Sequence, residues 1–479
     1  MSSRTKLLLM NSVMGNALMG PNSIYSPQGY TAIAPAVRDT TNAIQQSNGV
    51  VSPAFNSTVR FNIDKNSTLV MDAMLEFKIT PGTTSPASTI ADPTVAYVRN
   101  AGDLIGAQHQ LIYGNTSLQT WEGRFSALYR TLCKKDIDIE DINAQVLGGL
   151  PPGGALPSTG PEPVLIDAFY NGVTLYTPLD ELFFVHGDDQ AWMPEAYALE
   201  AQLQTRIAPL EELLVTRSRT ASEVTGAGAV PPTIESCLLR YTSVTISAAE
   251  KNNRLKLYRT PEGLVQRCYT IEAQTQGLRV TGSADRAPNF PLSARPLIRS
   301  QRLLLGNLRM DIALMVIAVH RVANGYPAAD FPFENAVLGA PYNASYLEDD
   351  NSTPSLLAPA DGGNYSTLVE VEAMQLYSGQ KALYAQDMPG FWNRTRVRRL
   401  YFPKKGSAAG SQYHWSFARY PEDRRNCTGH LSASVAGQLG IEIVVRDPGP
   451  LITYAPSVYA QCYNFAQSRS GGVSMAFDA

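Results

Sequence analysis

Five histidines, His109, His186, His320, His414 and His430, are the residues with which this chain could do general acid–base or metal chemistry, and no two lie closer than 16 residues. An HxH pair would set two imidazoles on one strand face for a metal, and HExxH would set two on one helix face beside a general base. Neither spacing occurs. His186 with Asp188 and Asp189 is the one compact set of ligand types, and around Gly187 it reads as a solvated turn. Glu422 and Asp423 are adjacent, whereas a carboxylate acid/base pair must be separated and facing. There is no GxSxG elbow, no Walker phosphate loop and no GxGxxG. The five cysteines, at 133, 237, 268, 427 and 462, are too scattered for CxxC or zinc chemistry and read as reduced, mostly buried thiols of a cytosolic compartment. No catalytic, cofactor-binding or metal-ligating residue is assigned, no cofactor is expected, and the chain does not read as an enzyme.

Charge narrows the partners. Lys and Arg number 39 against 42 Asp and Glu, a formal net charge of −3 with only 17% charged residues. A protein that coats nucleic acid needs a basic footprint, so neither direct genome packaging nor sequence-specific nucleic-acid binding is expected. The dense basic run, Arg394, Arg396, Arg398 and Arg399 in WNRTRVRRL, reads as an interface or a solvated edge. Trp121, Trp392 and Trp415 read as core or interface anchors ahead of sugar-stacking platforms. Eight N-x-S/T matches, at Asn56, Asn66, Asn115, Asn343, Asn351, Asn364, Asn393 and Asn426, come near the number chance supplies, and no glycan is inferred. The longest strongly apolar stretch, Ile312 to Val319, has eight residues, well short of the ~18 to 20 that cross a bilayer as a helix. At the start, Arg4 and Lys6 precede an apolar run that Asn11 and Asn16 interrupt, with no small-residue cleavage site, so a signal peptide is not expected.

The elements that would carry these residues are strands. Val59, Phe61 and Ile63 alternate with Arg60, Asn62 and Asp64, and Val369, Val371 and Ala373 with Glu370 and Glu372. Leu199 to Ile207 contains good helix formers, yet Glu200, Gln202, Gln204 and Arg206 fall on one face and Leu199, Ala201, Leu203 and Ile207 on the other; period predicts a strand. Val265, Tyr269, Ile271 and Ala273 predict another, as do Ile441, Ile443 and Val445. One helical stripe is clear, at Trp121, Phe125, Leu128, Tyr129 and Leu132. Thirty-six glycines and 32 prolines supply turns. Leu147 to Pro163 reads as a Gly/Pro insertion, Ala328 to Tyr365 as a long polar excursion, and Thr220 to Pro232 as a linker. These features predict an N-terminal arm over 1–30, a first β-sandwich over 31–220, a linker over 221–232 and a second β-sandwich over 233–479.

Several segments, taken in order, resemble one family. STVRFNIDKNSTLVMDAMLEFKIT (Ser57–Thr80), the stretch Tyr97–Leu132 and the stretch Leu175–Ile207 are similar in pattern to the first half of the major capsid proteins of nucleocytoplasmic large DNA viruses, among them the iridovirus and algal-virus proteins. More specific are VEAMQLYSGQKALYAQDMPGFWNRT (Val371–Thr395), then YHWSFARYPEDRRNCTGHLSAS (Tyr413–Ser434), whose Ser-Phe strand runs into Pro-Glu-Asp and Cys, and the closing VYAQCYNFAQSRSGGVSMAFDA (Val458–Ala479). After Cys427, Thr428, Gly429 and His430 replace the family's usual Asn-Phe-Ser.

The resemblance implies an all-β fold of two tandem antiparallel jelly-roll sandwiches, a double jelly roll with short helices in its loops. It also implies a structural role: homotrimers forming pseudo-hexagonal capsomers that tile the icosahedral shell of a large double-stranded DNA virus. The implied partners are neighbouring capsomers, minor capsid proteins beneath the shell and the internal viral membrane, with the N-terminal arm (Met1–Tyr30) as a candidate contact for the last two. The implied location is the virion, after assembly in the host cytoplasm. The open alternatives are a related scaffold, minor capsid or virophage capsid protein and, in a different class, a carbohydrate-binding β-sandwich protein that would stack sugars on Trp392 and Trp415.

Overall fold

The computed structural model describes residues 36–42, 44–46, 53–63, 69–83, 95–97, 101–133, 168–179, 193–216, 228–245, 248–259, 264–274, 280–281, 296–300, 302–305, 308, 310–323, 371–387, 412–421, 427–447 and 452–475. The expected arm, the Leu147–Pro163 insertion, the Ala328–Tyr365 excursion, and residues 220–227 of the expected linker lie outside them.

Twenty-three strands dominate the described residues. The first half carries β1 (Ala36–Asn42), β2 (Ile44–Gln46), β3 (Thr58–Asn62), β4 (Leu69–Ile79), β5 (Val95–Tyr97), β6 (Gly106–Tyr113), β7 (Thr116–Glu122), β8 (Val173–Pro178), β9 (Ala201–Ile207), β10 (Leu214–Thr216) and β11 (Ile234–Thr245). The second carries β12 (Leu264–Gln274), β13 (Val280–Thr281), β14 (Leu297–Arg299), β15 (Leu303–Leu305), β16 (Asp311–Ala323), β17 (Val371–Ser378), β18 (Lys381–Asp387), β19 (Gln412–Ser416), β20 (Leu431–Ser432), β21 (Leu439–Arg446), β22 (Ile452–Arg469) and β23 (Gly472–Met475).

Ladder pairing, antiparallel throughout, sorts these strands into two lobes of identical plan. In the first lobe one sheet runs β1-β11-β4-β8 and the other β2-β3-β9-β6-β7. In the second, one sheet runs β12-β22-β16-β19 and the other β14-β21-β17-β18, with β15 also on β21. If the eight principal strands of each lobe are numbered in chain order, both lobes read 1-8-3-6 in one sheet and 2-7-4-5 in the other. That interleaving is the jelly roll: each chain half folds back as a long antiparallel ribbon, so its last strand returns between its first and third.

Strand patterning explains most of this. Val59, Phe61 and Ile63 are buried and Arg60 is exposed on β3, as the alternation predicts. β9 is a strand despite its helix formers, with Ala201, Leu203 and Ile207 buried and Arg206 out. The predicted strand reached back to Leu199, but the ladder begins at Ala201 and Leu199 stands 55% exposed before it. On β17 Val371 is buried as predicted, but a bulge between Val371 and Ala373 shifts the pattern, so that Ala373 is half-buried and Met374, Leu376 and Tyr377 are buried after it. The helical stripe also needs correction. The helix is Gly123–Cys133, and Trp121 belongs to β7. Phe125 and Leu128 are buried as predicted. Gly123 marks the break because a Cβ there would stand 2.2 Å from the Asp103 carbonyl oxygen.

The domain boundary moves. A second sandwich starting at 233 would contain β11, but β11 is hydrogen-bonded between β1 and β4 as the last strand of the first lobe. Gly/Pro composition over 221–232 marks a long loop ahead of that strand; only pairing could show that the chain turns back across it. The crossing between lobes runs instead through the helix Ala248–Arg259.

Candidate functional site: the lobe junction

None of the chemically capable residues assembles into a reactive cluster among the described residues. His109, on β6, is fully buried against Trp121, ring centroids 5.3 Å apart, with Nδ1 3.0 Å from the Thr205 hydroxyl oxygen. Burial pushes its pKa down to about 3, so it is a neutral core residue at physiological pH. His414 is buried on β19, and His430 Nε2 stands 3.9 Å from Asp311. No group of three His, Cys, Asp or Glu among the described residues is placed to hold a metal. His186, Asp188, Asp189, Glu422, Asp423, the Arg394–Arg399 run and Trp392 lie outside the described residues. Cys237, Cys268 and Cys462 are buried free thiols and Cys427 is half-buried. Trp121 and Trp415 sit in the core, 2% and 4% exposed, which removes Trp415 as a sugar platform. Asn56 and Asn115 occupy exposed turns.

What the sequence did not flag as a site is the junction between the lobes, where both contribute buried side chains and hydrogen bonds. From Asp311 to Val319 on β16 every residue is buried. Ile312, Met315, Ile317 and Val319 pack with Val371, Met374, Ile441 and Ile443 of the facing sheet. Leu314, Val316 and Ala318 belong instead to a core cluster that includes Phe125, Leu128, Trp121 and the rest of the first lobe. β22 repeats the division, with Val458, Ala460 and Cys462 facing the second lobe's interior and Tyr459 joining the first lobe's cluster. The sheet β12-β22-β16-β19 is therefore a middle layer, apolar on both faces, which is why β16 reads as a continuous hydrophobic run and not as an alternation.

Polar groups fix the contact. Gln119, on β7, donates from Nε2 to the Tyr269 carbonyl at 2.7 Å. The Tyr459 hydroxyl donates to the Glu122 carboxylate at 3.2 Å, and its ring lies 5.8 Å from that of Phe125. Burial holds the Glu122 carboxyl above its usual range, against the pull of the Tyr459 hydrogen bond, Arg124 and Arg206. Lys251, on the crossing helix, pairs with Glu195 of the first lobe at 2.5 Å. Outward, the second lobe presents β14 and β15, where Leu297 and Leu304 are about half exposed and Arg299 pairs with the buried Glu442 at 2.8 Å. Chemically the arrangement holds two sandwiches side by side as one body.

No family profile matches the chain, and no curated protein matches it. Solved structures do. The chain is similar to the VP54 protein of PBCV-1, as fitted into a reconstruction of the virophage Sputnik, at TM-score 0.62 and 15% identity, covering 93% of this chain and 97% of that one. It is similar to the PBCV-1 capsid protein in a quasi-atomic capsid, at TM-score 0.58 and 15% identity over 93% and 97% of the two chains. The Faustovirus major capsid protein aligns at TM-score 0.59 and 11% identity over 91% of each chain. At these identities the likeness is one of architecture, and it extends over nearly the whole of both partners. The chain has the double jelly-roll fold of these viral capsid proteins.

Proposed function

We propose that this chain is a major capsid protein: a structural, non-enzymatic building block whose homotrimers form pseudo-hexagonal capsomers in the icosahedral shell of a large double-stranded DNA virus. The observation that carries the reading is the repetition of one strand order in two lobes fused through a shared middle sheet. Two similar outlines held side by side give six when three copies surround a three-fold axis, and six similar lobes tile a hexagonal lattice. A rigid junction suits this use, because lattice contacts that are individually modest sum only if the two lobes keep a fixed relation. Sparse charge, 17% of residues, fits a surface largely covered by neighbours. In this reading neighbouring capsomers cover the lobe flanks, and minor capsid proteins or the internal membrane meet the N-terminal segment. The site of action is the virion, with assembly in the host cytoplasm.

Negative-stain images of the purified chain test this. Three-fold particles with six-lobed, pseudo-hexagonal outlines are the expected result, and uniformly isolated two-lobed particles across concentrations contradict it. Copy number in purified virions then separates a major from a minor shell protein, since a major protein dominates the particle's protein mass.

A further inference from the structure

The last strands of the chain reach back across the junction. β22 and β23 form a hairpin whose two-residue turn, Ser470 and Gly471, has φ of 50° and 79°. Both residues at positive φ make a turn whose twist matches the strands it joins, and glycine supplies the second position without strain. The tip does not point to solvent unused. The Gly471 carbonyl accepts from the Tyr113 hydroxyl at 2.7 Å and from the Ala198 backbone N–H at 2.7 Å, both in the first lobe. The same Tyr113 hydroxyl accepts from the Leu199 N–H at 3.0 Å, so one side chain ties β6, the segment before β9 and the hairpin tip together. One turn back, the hydroxyls of Tyr197 and Ser468 are 2.8 Å apart. Tyr197 stacks edge-on against Tyr113 and against Tyr258 of the crossing helix, each at 5.7 Å. Val473, on β23, is buried in the first lobe's core cluster.

We propose that this hairpin is a clasp that couples the two jelly rolls, so that the lobes lock into one body only when the β22–β23 turn is seated on the first lobe. The middle sheet supplies a broad apolar contact, fixed near β7 by the Gln119 and Glu122 hydrogen bonds. The clasp supplies directional bonds at the rim, between residues more than 350 positions apart such as Tyr113 and Gly471. Without these bonds the two lobes keep the apolar contact but lose its rim, and the two-lobed face offered to a neighbour is no longer locked. The inference stands on the junction alone and holds whatever the chain assembles into.

The test compares the full chain with Tyr113→Phe/Tyr197→Phe and with a chain ended after Arg469. Hydrogen exchange is read in peptides covering 195–203 and, as an internal reference, 234–245 of the first lobe's far sheet. The full chain is expected to protect both. Removing the two hydroxyls should speed exchange at 195–203 by roughly tenfold or more, while 234–245 keeps its protection. The shortened chain should do the same more strongly and melt in two calorimetric steps in place of one. Unchanged protection at 195–203 in the double variant overturns the clasp, as does an equal loss in both peptides, which marks general destabilisation. Tyr413→Phe, which removes a comparable hydroxyl within the second lobe where it accepts from the Val371 N–H, should leave 195–203 untouched; loss of protection there also overturns it. If the shortened chain does not fold, the hydroxyl variants decide.

Discussion

At the residue scale, His109 shows how a catalytic residue type becomes a core one. Its ring fills space over Gly106, where an added Cβ would lie 2.2 Å from the imidazole, and burial depresses its pKa to about 3. The linkage follows in sign. Between the ordinary value near 6.5 and the folded value, the unfolded chain binds a proton that the folded chain refuses, so stability falls as pH drops through that window. Denaturant titrations of the full chain between pH 7 and 4 should therefore carry a contribution of up to about 1.4 kcal/mol per pH unit from this one group. His109→Gln should remove that slope even if it lowers stability at pH 7; an unchanged slope would mean that His109 is not held neutral. The absence of HxH and HExxH was legible in the sequence. The histidine's partner was not, because Thr205 lies 96 residues away and meets it only through the β6–β9 register.

At the element scale, period two predicted strands correctly where a sheet has one buried face, as on β3 and β9, because side chains alternate between core and water. It failed to anticipate the role of β16. A run such as Ile312–Val319 fits either a buried strand or a short buried helix, and what decides is a second lobe packed on the far face, which no local pattern contains. Trp121 was assigned to the helix because strand β7 runs straight into it, so its aromatic spacing continued the stripe by accident of sequence. The two-sided burial of β16 has a measurable consequence. Leu314→Ala removes a fully buried side chain at the junction and should cost ~2–5 kcal/mol, whereas Leu304→Ala, at a position 49% exposed, should cost under about 1 kcal/mol. Urea unfolding of both variants checks the contrast, and near-equal losses would place β16 somewhere other than a middle layer.

At the scale of the whole molecule, the many short strands and Gly/Pro-rich turns predicted two β-sandwiches. The repeated strand order needed the ladders, and the boundary at 221–232 was misplaced because a Gly/Pro loop within a lobe has the same composition as one between lobes. The junction, with Gln119, Glu122 and Tyr459 among its polar fixings, joins residues as far apart in sequence as Tyr113 and Gly471, 358 positions, and left no signal beyond the apolar run on β16. Two lobes of one strand order, packed on a shared sheet, are what the proposed three-fold building unit requires. The measurement that tests this most directly is the solution mass of the purified full chain by light scattering coupled to gel filtration. A stable species of about 156 kDa, three copies of the 52.0 kDa chain, is the expected result, and a monomer of 52.0 kDa at every concentration contradicts the account.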